Sequence, residues 1–143
     1  MDKNNRLFVD SNFFIALFNP TDALNQKALT ISKKLKKENP RLYISNFVFL
    51  EVVTVLSQRV SRKAAISLGN HLLKDRQLEI IHIDKQLNKL TWKIFQNIKK
   101  KNVSFVDCSI LAAMKAEGIK KLLTFDQSDF LSLKKYCRFG FYK

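Results

Sequence analysis

Four short apolar runs, each giving way to a helix-period pattern, constrain this chain more than any other feature. "RLFVD" (6–10), "RLYIS" (41–45), "LEIIHI" (78–83) and "KKLLTF" (120–125) read as strands, and "CRFGFY" (137–142) as a short final one. Between them, "SNFFIALF" turns helical and stops at Asn19-Pro20. Residues 21–39 repeat apolar positions at Leu24, Ala28, Ile31 and Leu35, with lysines opposite, and Thr21 is placed to cap that helix. Ser45 can cap a helix through Glu51, and another follows Ser61. Asp84 precedes a helix with Leu87, Leu90, Ile94 and Ile98 inward. A helix from about Ser104 stops at Gly118, and "QSDFLSL" forms a short one. Strands alternating with helices predict an α/β domain with a mostly parallel, helix-covered sheet. In such sheets, sites lie beyond the carboxyl ends of the strands. Asp10 and Asp126 both fall there.

The length of 143 residues suits one domain over 1–143. No apolar run is long enough to span a bilayer, and residues 1–10 have no signal-peptide core, so the expectation is a cytoplasmic protein with no membrane partner. Cys108 and Cys137 form no metal-type spacing, and Cys108 reads as a reduced core residue. His71 and His82 are isolated, which disfavours a Ser–His–Asp or zinc hydrolase. Lys and Arg number 26 against 12 acids, a net charge of +14, with basic runs at 33–37, 99–101, 120–121 and 134–135. That field attracts polyanions, although lysines on helix exteriors are also ordinary solvated faces.

With so few acids, their positions are informative. Seven lie in polar or helix-terminal contexts. Asp10 in "FVDSNFF", Glu51 in "FLEVV", Asp107 in "FVDCSIL" and Asp126 in "LTFDQSDF" are embedded in apolar sequence, with Asp129 nearby. Each has a purely structural explanation. Asp10 and Asp126 can cap the helices that follow, Asp107 can form a capping-box variant with Ser104, and Glu51 can pair with a buried base. Glu51 resists this reading most, because it sits mid-helix and cannot be a cap. Taken together, one shared site explains all four. Carboxylates gathered within a few Å repel, and some hold a proton unless a cation sits among them. Hard oxygen ligands without His or Cys point to Mg²⁺ or Mn²⁺. An acidic metal pocket on a basic protein suits phosphodiester hydrolysis.

The ordered segments "FVDSNFFIAL", "ISNFVFLEVVTVL" and "SFVDCSILAAMKAEGIKKLLTFDQSDF" resemble the successive motifs of PIN-domain (PilT N-terminus) nucleases across nearly the whole chain. The resemblance implies a three-layer α/β/α sandwich and a Mg²⁺- or Mn²⁺-dependent endoribonuclease, often the toxin of a VapC-type toxin–antitoxin pair and often a homodimer. It places the family's acids at Asp10, Glu51, Asp107 and Asp126, as catalytic residues and metal ligands, with Asp129 as an outer metal-binding member. It gives Ser11 and Thr124 supporting roles. By analogy, an RNA substrate is cut by a metal-activated water to leave 5′-phosphate and 3′-hydroxyl ends. An antitoxin would lay an apolar helix in a groove walled by the 21–39 helix and the Glu51 helix. Other readings are a catalytically inactive PIN-like RNA-binding module, a phosphatase or flap-type DNA nuclease, and a structural domain whose acids are caps.

Overall fold

The computed structural model describes residues 5–143. Element order is β1 (Arg6–Val9), α1 (Ser11–Phe18), α2 (Asn25–Glu38), β2 (Arg41–Ser45), α3 (Asn46–Arg59), α4 (Arg62–Lys74), β3 (Leu78–Ile81), α5 (Lys85–Gln96), α6 (Phe105–Glu117), β4 (Lys121–Leu123), α7 (Gln127–Leu131) and β5 (Gly140–Phe141). The five strands form one sheet in the order β3-β2-β1-β4-β5, and every pairing is parallel. With helices between the strands, this is the α/β/α sandwich with a parallel sheet that the sequence predicted.

The sheet is anchored by apolar residues that the strand register brings side by side. Phe8, Ile44 and Leu122 are fully buried in β1, β2 and β4. A parallel sheet covered on both faces needs such near-continuous apolar strands. Helix α6 is buried at every position from Cys108 to Met114, and its Ala112 and Ala113 let it approach its neighbours closely. Gly118 ends it at φ +69°, in the left-handed region that favours glycine. Ser45, Asp84 and Ser104 accept cap hydrogen bonds at helix starts, as expected, and Ser61 does the same for α4. Cys108 is buried and reduced.

Two local readings need correction. Thr21 does not cap α2; its backbone N and Oγ1 donate to Asn19 Oδ1 at 3.2 and 2.9 Å. Asp22 Oδ1 accepts from Leu24 N at 2.8 Å, and the helix starts only at Asn25, with no side-chain cap. The local turn chemistry of Asn and Asp outcompetes the helix here. Asn25 Nδ2 then donates to Ala16 O at 2.8 Å, satisfying a carbonyl near the end of α1. Leu24, expected on the buried face, is left 38% exposed, whereas Ala28 and Leu35 are buried. Helix α5 ends at Gln96, so Ile98 packs on the core from outside the helix.

The strand order sets the functional geography. The chain lays β1, β2 and β3 outward in one direction, then returns so that β4 pairs on the other side of β1. The boundary between β1 and β4 is therefore a switch point, where the flanking connections diverge and open a crevice at the carboxyl ends.

Candidate active site

Asp10 follows directly on β1, and its backbone N donates to Leu123 O of β4 at 2.9 Å, which extends the ladder to the crevice. Its side chain is 3% exposed. Asp10 Oδ1 accepts from Ser11 N at 2.7 Å, so Asp10 is the cap of α1 as well as a member of the site. Its Oδ2 accepts from Thr124 Oγ1 at 2.8 Å, and Thr124 Oγ1 accepts in turn from Asp126 N at 3.0 Å. The hydroxyl of Thr124, just past β4, thus couples the two strand ends.

Glu51 lies in the second turn of α3, half-buried, and Ser11 Oγ donates to its Oε1. Among the described residues no Lys or Arg forms an ion pair with Glu51, nor with Asp10, Asp107 or Asp126. The described residues hold no basic partner that would explain Glu51 structurally. Asp107 is the third residue of α6, and the capping box with Ser104 is present: Ser104 N donates to Asp107 Oδ2 at 2.9 Å, and Asp107 N to Ser104 Oγ at 3.0 Å. Capping by Ser104 N uses Oδ2 of the Asp107 carboxylate. Asp126 stands at the exposed rim and makes no side-chain cap to α7, so the capping explanation fails for this acid.

One contributor escaped the sequence reading. Asn12 Nδ2 donates to Asp126 Oδ2 and to Thr124 Oγ1, both at 3.2 Å, while its Oδ1 accepts from Phe125 N at 3.2 Å. Asn12 clamps the loop after β4 onto α1. Its one sequence signal was a polar amide between Ser11 and Phe13 in an otherwise apolar helix. Asp129 is set apart from the other acids by its own counterion: Lys100 Nζ lies 3.0 Å from its Oδ1.

The acids are close enough to feel one another. Burial above all, then the charge on Asp107, pushes the Asp10 carboxyl from 3.8 up to about 7; bonds from Thr124 and Ser11 oppose the rise, and Glu51 adds to it. Burial likewise raises Asp107 to about 6, against its Ser104 bonds and with help from Glu51 and Asp126. An ionised carboxylate so placed is costly without a cation nearby. The expectation of a tightly gathered acidic cluster does need correction. Among the described residues, no group of three His, Cys, Asp or Glu side chains is close enough to cage a metal. Caps and hydroxyl clamps hold Asp10, Asp107 and Asp126 on separate elements around the crevice. An all-oxygen set of that kind still fits Mg²⁺ or Mn²⁺, because magnesium usually takes one or two protein carboxylates and keeps water or phosphate oxygens in its remaining positions.

Comparison with known proteins agrees with this geometry. The PIN domain family matches residues 7–136. The chain is 30% identical over 121 residues to the 23S rRNA-specific endonuclease VapC20 of Mycobacterium tuberculosis, covering 84% of this chain and 88% of that protein. The crystal structure of M. tuberculosis VapC20, a sarcin-ricin loop cleaving toxin, matches with a TM-score of 0.76 at 28% identity, over 88% of this chain and 94% of that one. DNA-bound VapBC from Salmonella typhimurium shares the fold, with a TM-score of 0.71 at 16% identity over 95% and 97% of the two chains. By its strand order, its switch-point acids and these likenesses, the chain belongs to the PIN-domain family.

Proposed function

We propose that this protein is a Mg²⁺- or Mn²⁺-dependent endoribonuclease and the toxin of a type II toxin–antitoxin pair. One observation carries the reading. Asp10 and Asp126 follow β1 and β4, the charges of Asp107 and Glu51 reach Asp10 and those of Glu51 and Asp126 reach Asp107, and among the described residues no basic side chain is paired to any of the four. In a chain of net charge +14, leaving these acids uncompensated is costly unless a cation arrives from outside.

A divalent ion bound by one or two of Asp10, Glu51, Asp107 and Asp126, with water in its remaining positions, would supply Lewis-acid polarisation of the phosphate and a lowered pKa for an attacking water. The chain does the rest. Asp10 is fixed by Ser11 N and Thr124 Oγ1, so its carboxylate cannot rotate out of the crevice. Ser11 Oγ orients Glu51, and Asn12 orients Asp126. Asp129, paired with the Lys100 ammonium, would act as an outer member of the set beside Asp126. Nucleophilic side chains are not required: Cys108 is buried and its thiol is pushed up to about 11, chiefly by burial.

An apolar groove of about 790 Å³ offers the antitoxin a seat. Its walls are α1, α2 and α4, through residues such as Phe14, Phe18, Leu29, Leu35 and Leu72. An amphipathic segment laid there would bury its apolar face. A homodimer and residence in the cytoplasm complete the reading, as the family resemblance implies. Among the described residues, no helix is long and apolar enough to cross a membrane.

The test is cleavage of labelled RNA by purified protein with Mg²⁺, Mn²⁺ or EDTA, beside Asp10→Asn. The specificity named for the VapC20 relative makes a fragment of large-subunit ribosomal RNA the first substrate to offer, followed by a structured RNA pool. Metal-dependent cutting by the wild type alone is expected. Salt-sensitive RNA binding without cutting of either substrate would favour the catalytically inactive RNA-binding module.

A further inference from the structure

The end of the sheet remote from the crevice carries a concave basic surface. A cavity of about 370 Å³ opens between the end of α6, the turn into β4 and the connection from α7 to β5. Lys115, Lys120, Lys134, Lys135 and Arg138 line it together with Tyr136, and among the described residues no acid does. Arg6 Nη2 donates to Gly118 O at 2.9 Å, which sets a sixth cation at its edge. Three separate stretches of chain converge here, and the bond from Gly140 N to Lys120 O at 2.8 Å ties two of them together. A lone lysine on a helix exterior needs no explanation, but five cations turned into one hollow do. Like charges gathered in this way repel unless counter-charge arrives. Protein carboxylates do not supply it, since the ion pairs among the described residues use Lys34, Arg41 and Lys100. Lys134 Nζ leans instead over the rings of Phe139 and Phe141, 5.7 and 5.3 Å from their centroids, and Lys135 Nζ over Tyr136 at 5.1 Å. An ammonium resting on an aromatic face keeps its charge and its donors for an incoming anion.

The position of the cavity identifies its occupant. Along α6, Lys115 follows Asp107 by eight residues, a rise of about 12 Å. Along β4 and its extension, Thr124 follows Lys120 by four residues, a rise of about 13 Å. Both rulers put the cavity the same distance from the crevice, and the connection over 126–140 runs from the rim acid Asp126 down to it. A small anion in the crevice does not reach that far, whereas a polymer of phosphates does. A duplex strand advances about 3.4 Å per nucleotide, so an RNA cut in the crevice offers phosphates beyond roughly its third neighbouring nucleotide to these cations. An acidic protein segment would match the charge, but RNA alone would occupy crevice and cavity as one molecule.

We infer that Lys115, Lys120, Lys134, Lys135 and Arg138 form an anchoring site for the phosphate backbone of a long RNA whose scissile bond lies in the β1–β4 crevice. The inference rests on RNA being the substrate of that crevice and adds that the protein grips it well away from the cut. Phosphate contacts fix register and orientation without reading bases, so the site sets how far a substrate must extend and not which sequence is cleaved. These five are positioning residues; none touches the reacting phosphate.

The experiment follows anisotropy of a labelled large-subunit ribosomal RNA fragment in EDTA across a salt series. The cavity variant combines Lys120→Gln, Lys135→Gln and Arg138→Gln. Losing three phosphate contacts should flatten the slope of log affinity against log salt by about 2 and weaken binding on the order of 50-fold at about 0.15 M salt. A control variant combines Lys33→Gln, Lys37→Gln and Lys63→Gln, which remove the same charge from the exposed exteriors of α2 and α4, and it should lose far less. In Mg²⁺ the cavity variant should raise KM on the long RNA with kcat unchanged, and keep the wild-type kcat/KM on a tetranucleotide. Equal losses for the two triple variants would reduce the effect to net charge and overturn the inference. So would wild-type affinity and slope in the cavity variant; if that variant then fails to hold a poly-glutamate peptide that the wild type binds, the cavity belongs to an acidic protein segment. Should the triple variant not fold, Lys135→Gln alone, with a flattening of about 0.7, still decides. Because no cleavage occurs in EDTA, cavity-dependent RNA binding without any nuclease activity in Mg²⁺ would sink the enzyme reading and leave the anchor standing. Cleavage with an unchanged KM in the cavity variant would do the reverse.

Discussion

Asp10→Asn should make the metal-free protein more stable at pH 8 while removing its activity. Asp10 is 3% exposed and its carboxyl is raised from 3.8 to about 7, first by burial and then by Asp107. A carboxyl whose folded pKa is raised binds its proton more tightly in the native state. Stability from this group is therefore highest below pH 4, falls as pH rises through about 7, and is level above that. At about 1.4 kcal/mol per unit, the raised carboxyl lowers stability relative to that below pH 4 by on the order of 4 kcal/mol at pH 8, where it is ionised, and by about 2 kcal/mol at pH 5, where the folded group still holds its proton and the unfolded one does not. An amide retains an oxygen for Ser11 N, but its NH₂ crowds Thr124 Oγ1, which already accepts from Asn12 and Asp126. Allowing about 2 kcal/mol for that crowding and for the altered coupling to Asp107 leaves a net gain of about 2 kcal/mol at pH 8 and near zero at pH 5. In a chain of this size the gain at pH 8 is a rise in Tm of about 6 °C. The assay is thermal unfolding by circular dichroism in EDTA at both pH values, for both proteins. Saturating Mg²⁺ should close the gap, since it stabilises only the protein that binds it. A variant that melts at or below wild type in EDTA at pH 8, or whose advantage is as large at pH 5, refutes the electrostatic account of Asp10.

Glu51→Gln keeps an acceptor for the Ser11 hydroxyl and breaks no ion pair. It should melt within about 1 kcal/mol of wild type and lose metal-dependent cleavage; a large fall in stability on a urea titration would instead make Glu51 a structural partner. Gly118→Ala puts a Cβ at φ +69° at the end of α6, and should cost about 1 kcal/mol by the same titration without altering cleavage per folded molecule. No loss there would mean that the α6–β4 turn relaxes freely.

Strand–helix alternation and four acids in apolar surroundings were legible along the chain because both are local patterns. Period-2 and period-3.6 apolar spacing record which face a segment buries, and an acid among apolar residues records an unusual cost. Ser45, Asp84 and Ser104 were legible as caps because capping is settled within one turn. Where two local motifs compete the chain is ambiguous, and at Thr21 the Asn19 and Asp22 turns prevailed over a helix cap. Sequence also left open whether each acid is a cap or a site residue. Tertiary structure answers that Asp10 and Asp107 are caps, that Asp126 is not a side-chain cap, and that no base among the described residues pairs with Glu51. Pairing residue 10 with residues 123 and 124, or residue 11 with residue 51, depends on strand order, which no local pattern records. The same holds for Asn12, whose partners lie 112 and 114 residues away, and for the rings of Phe47, Trp92, Phe95 and Phe105, which three helices bring together. The sequence by itself determined which segments are strands and helices and which acids stand in apolar surroundings; the return of β4 to the side of β1 decided which side chains meet, because contacts across such separations form only when the whole sheet closes.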